Sequence, residues 1–156
     1  MAEQKVAESD YIRLNEKECS GCSRCLMACA AYHWGAVAMQ LSAIKWDEGK
    51  FMTVFNGHHP LFCLQCKKPK CYYACPLQDT ALCIDKETGA RYINKDECTG
   101  CGKCVESCPF EPKRINFDAE NNIAIKCDLC RGRAGGPVCV EVCDRKALTL
   151  VKRKQE

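Results

Sequence analysis

Sixteen of the seventeen cysteines in this chain of 156 residues fall into four runs of four. The first is Cys19, Cys22, Cys25, Cys29, spaced C-x2-C-x2-C-x3-C. The second is Cys63, Cys66, Cys71, Cys75, spaced C-x2-C-x4-C-x3-C and followed by Pro76. The third is Cys98, Cys101, Cys104, Cys108, with the spacing of the first and followed by Pro109. The fourth is Cys127, Cys130, Cys139, Cys143, spaced C-x2-C-x8-C-x3-C; Cys83 is left over. Each run has one grammar: three cysteines on one loop, then a last one four residues after the third. Such a chain folds around whatever holds its thiols, because the 47% apolar content includes the cysteines and is thin without them.

Disulfides are the poorer account of these thiols. The count is odd, and the stretch Met1–Val6 shows neither an apolar signal core nor twin arginines. The expectation is a cytoplasmic protein, where thiols stay reduced. No apolar run approaches the roughly 20 residues of a membrane span. Formal charge is +3 with thiols counted neutral. Four thiolate-bound cubes of net charge −2 each would bring it to about −5, so the basic balance is no nucleic-acid signal.

A [4Fe–4S] cube needs four converging thiolates. Cysteines at i, i+3 and i+6 wrap one loop around three corners, and the last cysteine of a run usually points to a neighbouring cluster. Gly21, Gly100 and Gly102 suit a loop that hugs a cube, and Pro76 and Pro109 restrict Cys75 and Cys108 to extended backbone. Zinc is the rival, since paired C-x2-C units bind it. The fourth run alone, and loosely the second, could be read that way. Three thiolates crowded on seven residues in the first and third runs point to iron–sulfur instead.

The spacers read as hairpins. Ala81–Asp85 and Ala90–Asn94 flank the turn Lys86–Gly89; Arg114–Phe117 and Ile123–Lys126 flank Asp118–Asn122. A third, longer hairpin is expected from Ala38–Trp46, Asp47–Lys50 and Phe51–Phe55. Tyr11–Leu14 and Ala147–Val151 are expected to pair as terminal strands, and short helical turns to follow the third cysteine of each run.

Two motifs carry a resemblance: Cys98-Thr-Gly-Cys101-Gly-Lys-Cys104-Val-Glu-Ser-Cys108-Pro109, and Cys63-Leu-Gln-Cys66 through Cys71 to Cys75-Pro76. With cysteine runs from Cys19 to Cys143, the chain resembles the four-cluster, ferredoxin-type electron-transfer subunits of molybdenum and tungsten oxidoreductases. It is most similar to the small iron–sulfur subunit of aldehyde ferredoxin oxidoreductase family complexes, such as aldehyde oxidoreductase or tungsten benzoyl-CoA reductase. The resemblance implies an α+β fold of two ferredoxin-like modules, with short β-hairpins and helical turns around four [4Fe–4S] clusters. One compact domain, 1–156, would hold an outer module from runs 19–29 and 127–143 and an inner module from runs 63–75 and 98–108.

In that family the runs pair crosswise. Carried over, one cluster takes Cys19, Cys22, Cys25 and Cys143, and its neighbour takes Cys127, Cys130, Cys139 and Cys29. The inner pair takes Cys63, Cys66, Cys71 with Cys108, and Cys98, Cys101, Cys104 with Cys75. Cys29 precedes Ala30 and Cys143 precedes Asp144, so the outer pair lacks the family's proline. The implied function is relay of single electrons to or from a large catalytic subunit with a tungsten- or molybdenum-pterin cofactor, with a flavin subunit or another redox donor as further partner. Alternatives are a free-standing polyferredoxin, or the same role in a hydrogenase, formate or carbon monoxide dehydrogenase. No nucleophile–base pair, nucleotide loop or pterin signature marks the chain as catalytic itself, and neither nucleic acid nor a membrane span is expected.

The other chemistry-bearing residues have plain expectations. Cys83 reads as a buried small hydrophobe. His33, His58 and His59 are not needed as ligands, because every quartet is complete. Lys67, Lys68 and Lys70, and Arg131 and Arg133, read equally as solvated loop charges and as groups that raise cluster potentials or steer an acidic partner. Tyr72 and Tyr73 are expected to shield a cluster. Trp34 and Trp46 are expected to pack or to anchor a partner on an apolar face between Trp34 and Phe62.

Overall fold

The computed structural model describes residues 6–45 and 59–153. Strand β1 (Tyr11–Leu14) pairs antiparallel with β6 (Leu148–Val151), Ile12 opposite Leu150 and Leu14 opposite Leu148. Ile12 and Leu148 are buried, as period-two alternation requires of a half-covered ribbon. Strands β2 (Leu82–Ile84) and β3 (Arg91–Ile93) form one further ribbon, and β4 (Asn116–Asp118) and β5 (Ile123–Ile125) another. Both turns are built by an aspartate on its own backbone. Asp85 accepts from the N–H groups of Glu87 and Thr88 and from the Thr88 hydroxyl. Asp118 accepts from Glu120 and Asn121 in the same way.

The expected third hairpin is not formed in its described half. Ala38–Lys45 folds as a 3-10 turn over Met39–Leu41, then bends, and Lys45 makes a lone bridge with Leu61. Ser42 is the reason: its hydroxyl accepts from the Ile44 N–H, and its carbonyl accepts the Asn116 side-chain amide at 2.6 Å. These bonds fold the segment onto β4 and leave it no ladder to join. Residues 46–55 of that expected hairpin lie outside the described residues.

Four helices carry the cysteine runs: α1 (Arg24–Trp34), α2 (Lys70–Ala74), α3 (Lys103–Glu106) and α4 (Val138–Glu141). Each opens one residue before the third cysteine of its run, rather than after it. Cys75 closes α2 in extended backbone ahead of Pro76, as the proline demands. Where Ala30 replaces that proline, α1 runs on for three turns, burying Cys25, Leu26, Cys29 and Ala30 on one face. It stops at Gly35, at φ +68, whose N–H closes on Ala31.

Helix α1 packs on α4, and α2 on α3. One apolar cluster joins Ile12, Leu26, Ile44, Phe62, Ile125 and Leu148; another joins Tyr72, Leu82, Ile115 and Ala124. Cysteines take part in both, so the thiols are core residues. The result is a small mixed α/β structure of short strands and few helices. Among the described residues no helix is long and apolar enough to cross a membrane.

Candidate metal centres

Cys19, Cys22 and Cys25 line a cavity of about 180 Å³ together with Cys143, which follows α4. Burial pushes the Cys25 thiol up to about 12, and Cys19, Cys22 and Cys143 add like-charge repulsion. A second cavity is lined by Cys98, Cys101, Cys104 and Cys75, with Leu77, Ala81, Leu82, Ile93 and Ala124 around them. Burial pushes Cys104 up to about 12, helped by Cys71, Cys98 and Cys101. In its loop Gly100 sits at φ +67, and a Cβ there would strike the Asn122 backbone and side chain. Asn122 holds that approach through its amide, which donates to the Thr99 carbonyl at 3.0 Å.

A third cavity is lined by Cys63, Cys66, Cys71 and Cys108, with Arg91, Arg114 and Lys126. Burial raises Cys66 and Cys71. Cys63 goes the other way: burial alone would raise it, but the Lys126 ammonium, 3.0 Å from its sulfur, brings it below the ordinary thiol value. Cys127, Cys130, Cys139 and Cys29 are a further group of neighbouring thiols. Cys127 is raised by burial and by Cys63, Cys139 and Cys29; Cys139 by burial and by Cys130, Cys29 and Cys25. Burial lifts Cys130 to about 11. The long gap in this run is folded by Arg133, which donates to the Gly136 carbonyl at 2.8 Å and pairs with Glu141 at 2.7 Å.

The thiols thus gather in three cavities, each lined by three cysteines of one run and one of another, and in a fourth group around Cys127. They also form a series. Cys25 of the Cys19 site neighbours Cys139 of the Cys127 site. Cys127 neighbours Cys63, and Cys71 of the Cys63 site neighbours Cys104 of the Cys98 site. Cys22 and Cys101, one in each end site, are exposed; of the buried cysteines, Cys29, Cys63, Cys108, Cys130 and Cys139 lie in the inner two sites and Cys25 and Cys104 in the end sites. Four soft sulfurs per site suit an iron–sulfur cube. Backbone N–H groups of Arg114 and Val138 already point at the Cys108 and Cys130 sulfurs, at 3.4 and 3.5 Å. Thiols that resist ionisation when crowded and buried lose that reluctance when a metal core supplies positive charge.

Of the remaining residues, Cys83 is only partly buried, contrary to expectation, and its thiol donates to the Thr80 carbonyl at 3.3 Å. His33 ties α1 to the Cys127 loop: Nε2 meets Asp128 at 2.9 Å and Nδ1 meets the Cys29 carbonyl at 2.9 Å. His33, Asp128 and Cys130 bring donor atoms within 4.8 Å of one another, a closeness these hydrogen bonds explain. Lys67 pairs with Glu8, Lys70 lines the Cys63 cavity, and Arg131 stacks on Tyr92. The Tyr72 hydroxyl donates to Asp79, whereas Tyr73 is exposed. Lys95 sits 3.5 Å over the Trp34 ring. His58 and Trp46 lie outside the described residues.

Sequence reasoning missed Lys126, Arg91, Arg114 and Gln65. Gln65 is buried and joins two loops, its amide donating to the Cys127 carbonyl and its oxygen accepting from Arg91 N–H. The only hint in the sequence was a lysine closing an apolar strand directly before Cys127.

Residues 54–153 match the 4Fe–4S dicluster domain family. The polyferredoxin-like subunit of aliphatic sulfonate oxidoreductase from Pyrococcus furiosus is 36% identical, the alignment covering 90% of this chain and 75% of that one. The thiosulfate reductase electron transfer subunit PhsB of Salmonella typhi is 31% identical, over 90% of this chain and 74% of its own. Among solved structures, a chain of the active site complex BamBC of benzoyl coenzyme A reductase with 1,5-dienoyl-CoA superposes with a TM-score of 0.55 at 22% identity. That match covers 94% of this chain and 78% of the other, and shows a shared fold. By its cysteine runs, its folded thiol groups and these matches, the chain belongs to the 4Fe–4S dicluster domain family of ferredoxin-like electron-transfer proteins.

Proposed function

We propose that the chain holds four [4Fe–4S] clusters in the crosswise arrangement and relays single electrons through them as the non-catalytic subunit of a cytoplasmic oxidoreductase. Its partner is a large catalytic subunit with a tungsten- or molybdenum-pterin cofactor. The observation that carries the reading is the series of four thiol groups, Cys19 site to Cys127 site to Cys63 site to Cys98 site, each next to the following one. A linear series with five of the seven buried cysteines in its middle members and an exposed cysteine at each end suits conduction, since electrons enter and leave where the chain's own atoms shield least.

Bound clusters would supply one-electron redox capacity. The protein's share is ligation, insulation and charge. Leu77, Leu82, Ile93 and Ala124 give the Cys98 cavity an apolar wall. Hydrogen bonds to the sulfurs and the cations of the Cys63 cavity set how readily each site accepts an electron. The relatives named as subunits of sulfonate oxidoreductase and thiosulfate reductase support a subunit role. Val37 and Tyr32, exposed at the end of α1, offer apolar surface to a partner, whereas Phe62 is buried and takes no part.

The test is anaerobic affinity purification of natively expressed protein with metal analysis. About sixteen irons per chain, together with a large tungsten- or molybdenum-containing partner, is the expected outcome. A brown monomer would replace the subunit reading with a mobile ferredoxin, and a colourless zinc protein would overturn the iron–sulfur reading.

A further inference from the structure

Charge is distributed unevenly over the walls of the thiol cavities. The Cys98 cavity is lined by cysteines and uncharged residues alone. At the Cys19 cavity Arg24 is paired with Asp144 and Arg145 is exposed to water, and at the Cys127 group His33, 3.8 Å from the Cys29 sulfur, is paired with Asp128. The Cys63 cavity is different, since Arg91, Arg114 and Lys126 all line it. Arg91 is 0% and Lys126 7% exposed, so water screens neither. Lys126 directs its ammonium to the Cys63 sulfur at 3.0 Å. Arg91 donates to the carbonyls of Gly89 and Ala7. The Nε atoms of Arg91 and Arg114 are buried and without a hydrogen-bond partner. Buried orphan donors of this kind are costly unless something anionic faces them.

We infer that the site of Cys63, Cys66, Cys71 and Cys108 is the highest-potential position of the relay, held there by Lys126, Arg114 and Arg91, and that an electron entering the chain comes to rest on it. The inference rests on the cluster reading above. Uptake is a one-electron transfer: a reduced donor of low potential loses one electron and this site gains it. No bond forms or breaks, and Lys126 keeps its proton. The site's net charge moves from −2 to −3, a change that neighbouring cations favour and that apolar walls resist. The adjacent Cys98 site, with its uncharged wall, therefore lies lower than the Cys63 site, and electrons cross it without resting.

These residues are positioning residues, and the test is a potential rather than a rate. Full-length protein, purified anaerobically with its iron, is titrated with reductant and followed by electron paramagnetic resonance, with iron counted in every sample. Lys126→Met removes the charge at nearly constant length. The highest midpoint is expected to fall, the reduced form at a fixed potential becoming about tenfold scarcer or more, while the midpoints of the two end sites stay. Lys126→Arg should restore most of the shift. Arg114→Gln, at a half-buried position, should lower the same midpoint, and carries the test alone where Lys126→Met does not retain iron. An unchanged highest midpoint in these variants, or a fall in one of the lower midpoints instead, overturns the inference. Wild-type protein without iron or without a signal overturns the cluster reading, a separate result.

Discussion

Cys25 and Cys29 stand one helical turn apart in α1, yet they face different thiol groups: Cys19, Cys22 and Cys143 for the first, Cys127, Cys130 and Cys139 for the second. Residues four apart on a helix are neighbours, so a pairing that kept each run to itself would put both on one cluster. Alanine substitutions separate the two schemes by counting. With four irons per cluster, Cys25→Ala and Cys29→Ala should each remove about four of about sixteen irons. In the crosswise scheme the double variant Cys25→Ala with Cys29→Ala strikes two sites and removes about eight. Cys29→Ala with Cys139→Ala strikes one site twice and removes about four. A run-by-run scheme reverses these two numbers. The assay is iron and sulfide per chain after anaerobic purification, with circular dichroism to establish that each variant is folded, since Cys29 and Cys139 are also core residues. A loss of about four irons in the Cys25–Cys29 double variant would refute the arrangement of all four sites, because the same logic assigns Cys75 and Cys108.

Three further outcomes are expected. Stripping iron with a chelator should unfold most of the chain, because the cysteines are part of both apolar clusters; native circular dichroism in iron-free protein would show that the fold stands without its metals. Gly100→Ala should cost about 1–2 kcal/mol for the left-handed backbone alone and more for the collision with Asn122, and should release iron from the Cys98 site before the others; an unchanged iron count and thermal midpoint would contradict the close approach. Leu26→Ala, at a buried position where α1 meets the core, should cost about 2–5 kcal/mol, read as an earlier guanidinium midpoint for loss of cluster absorbance; no shift would mean that α1 does not hold the core.

Much of this was legible in the sequence because it is local. Aspartate-led turns, alternating strands and cysteines three apart are decided by neighbours along the chain, and β2–β3, β4–β5 and the three-thiol loops formed where those signals stood. Even the long-range β1–β6 pairing had its two apolar, alternating partners to announce it. The Ala38–Trp46 strand failed because its fate lay with Asn116, far along the chain. Cys83 looked buried beside Leu82 and Ile84, but a strand alternates its faces, and the structure leaves its thiol partly exposed.

The last cysteine of each run, by contrast, has its neighbours across the fold, and no local signal along the chain announces them. The charges around them were harder still. Lys126 and Arg91 sit at the edges of apolar strands, where composition predicts a solvated end. The sequence by itself determined that sixteen thiols would stand in four runs with the spacing of metal ligands. The tertiary structure decided which thiols meet, in what order the groups adjoin, and which group is surrounded by cations. The physical reason is range: a loop's grip on a cluster is set within a few residues, whereas the field at that cluster sums over every charge the fold brings near.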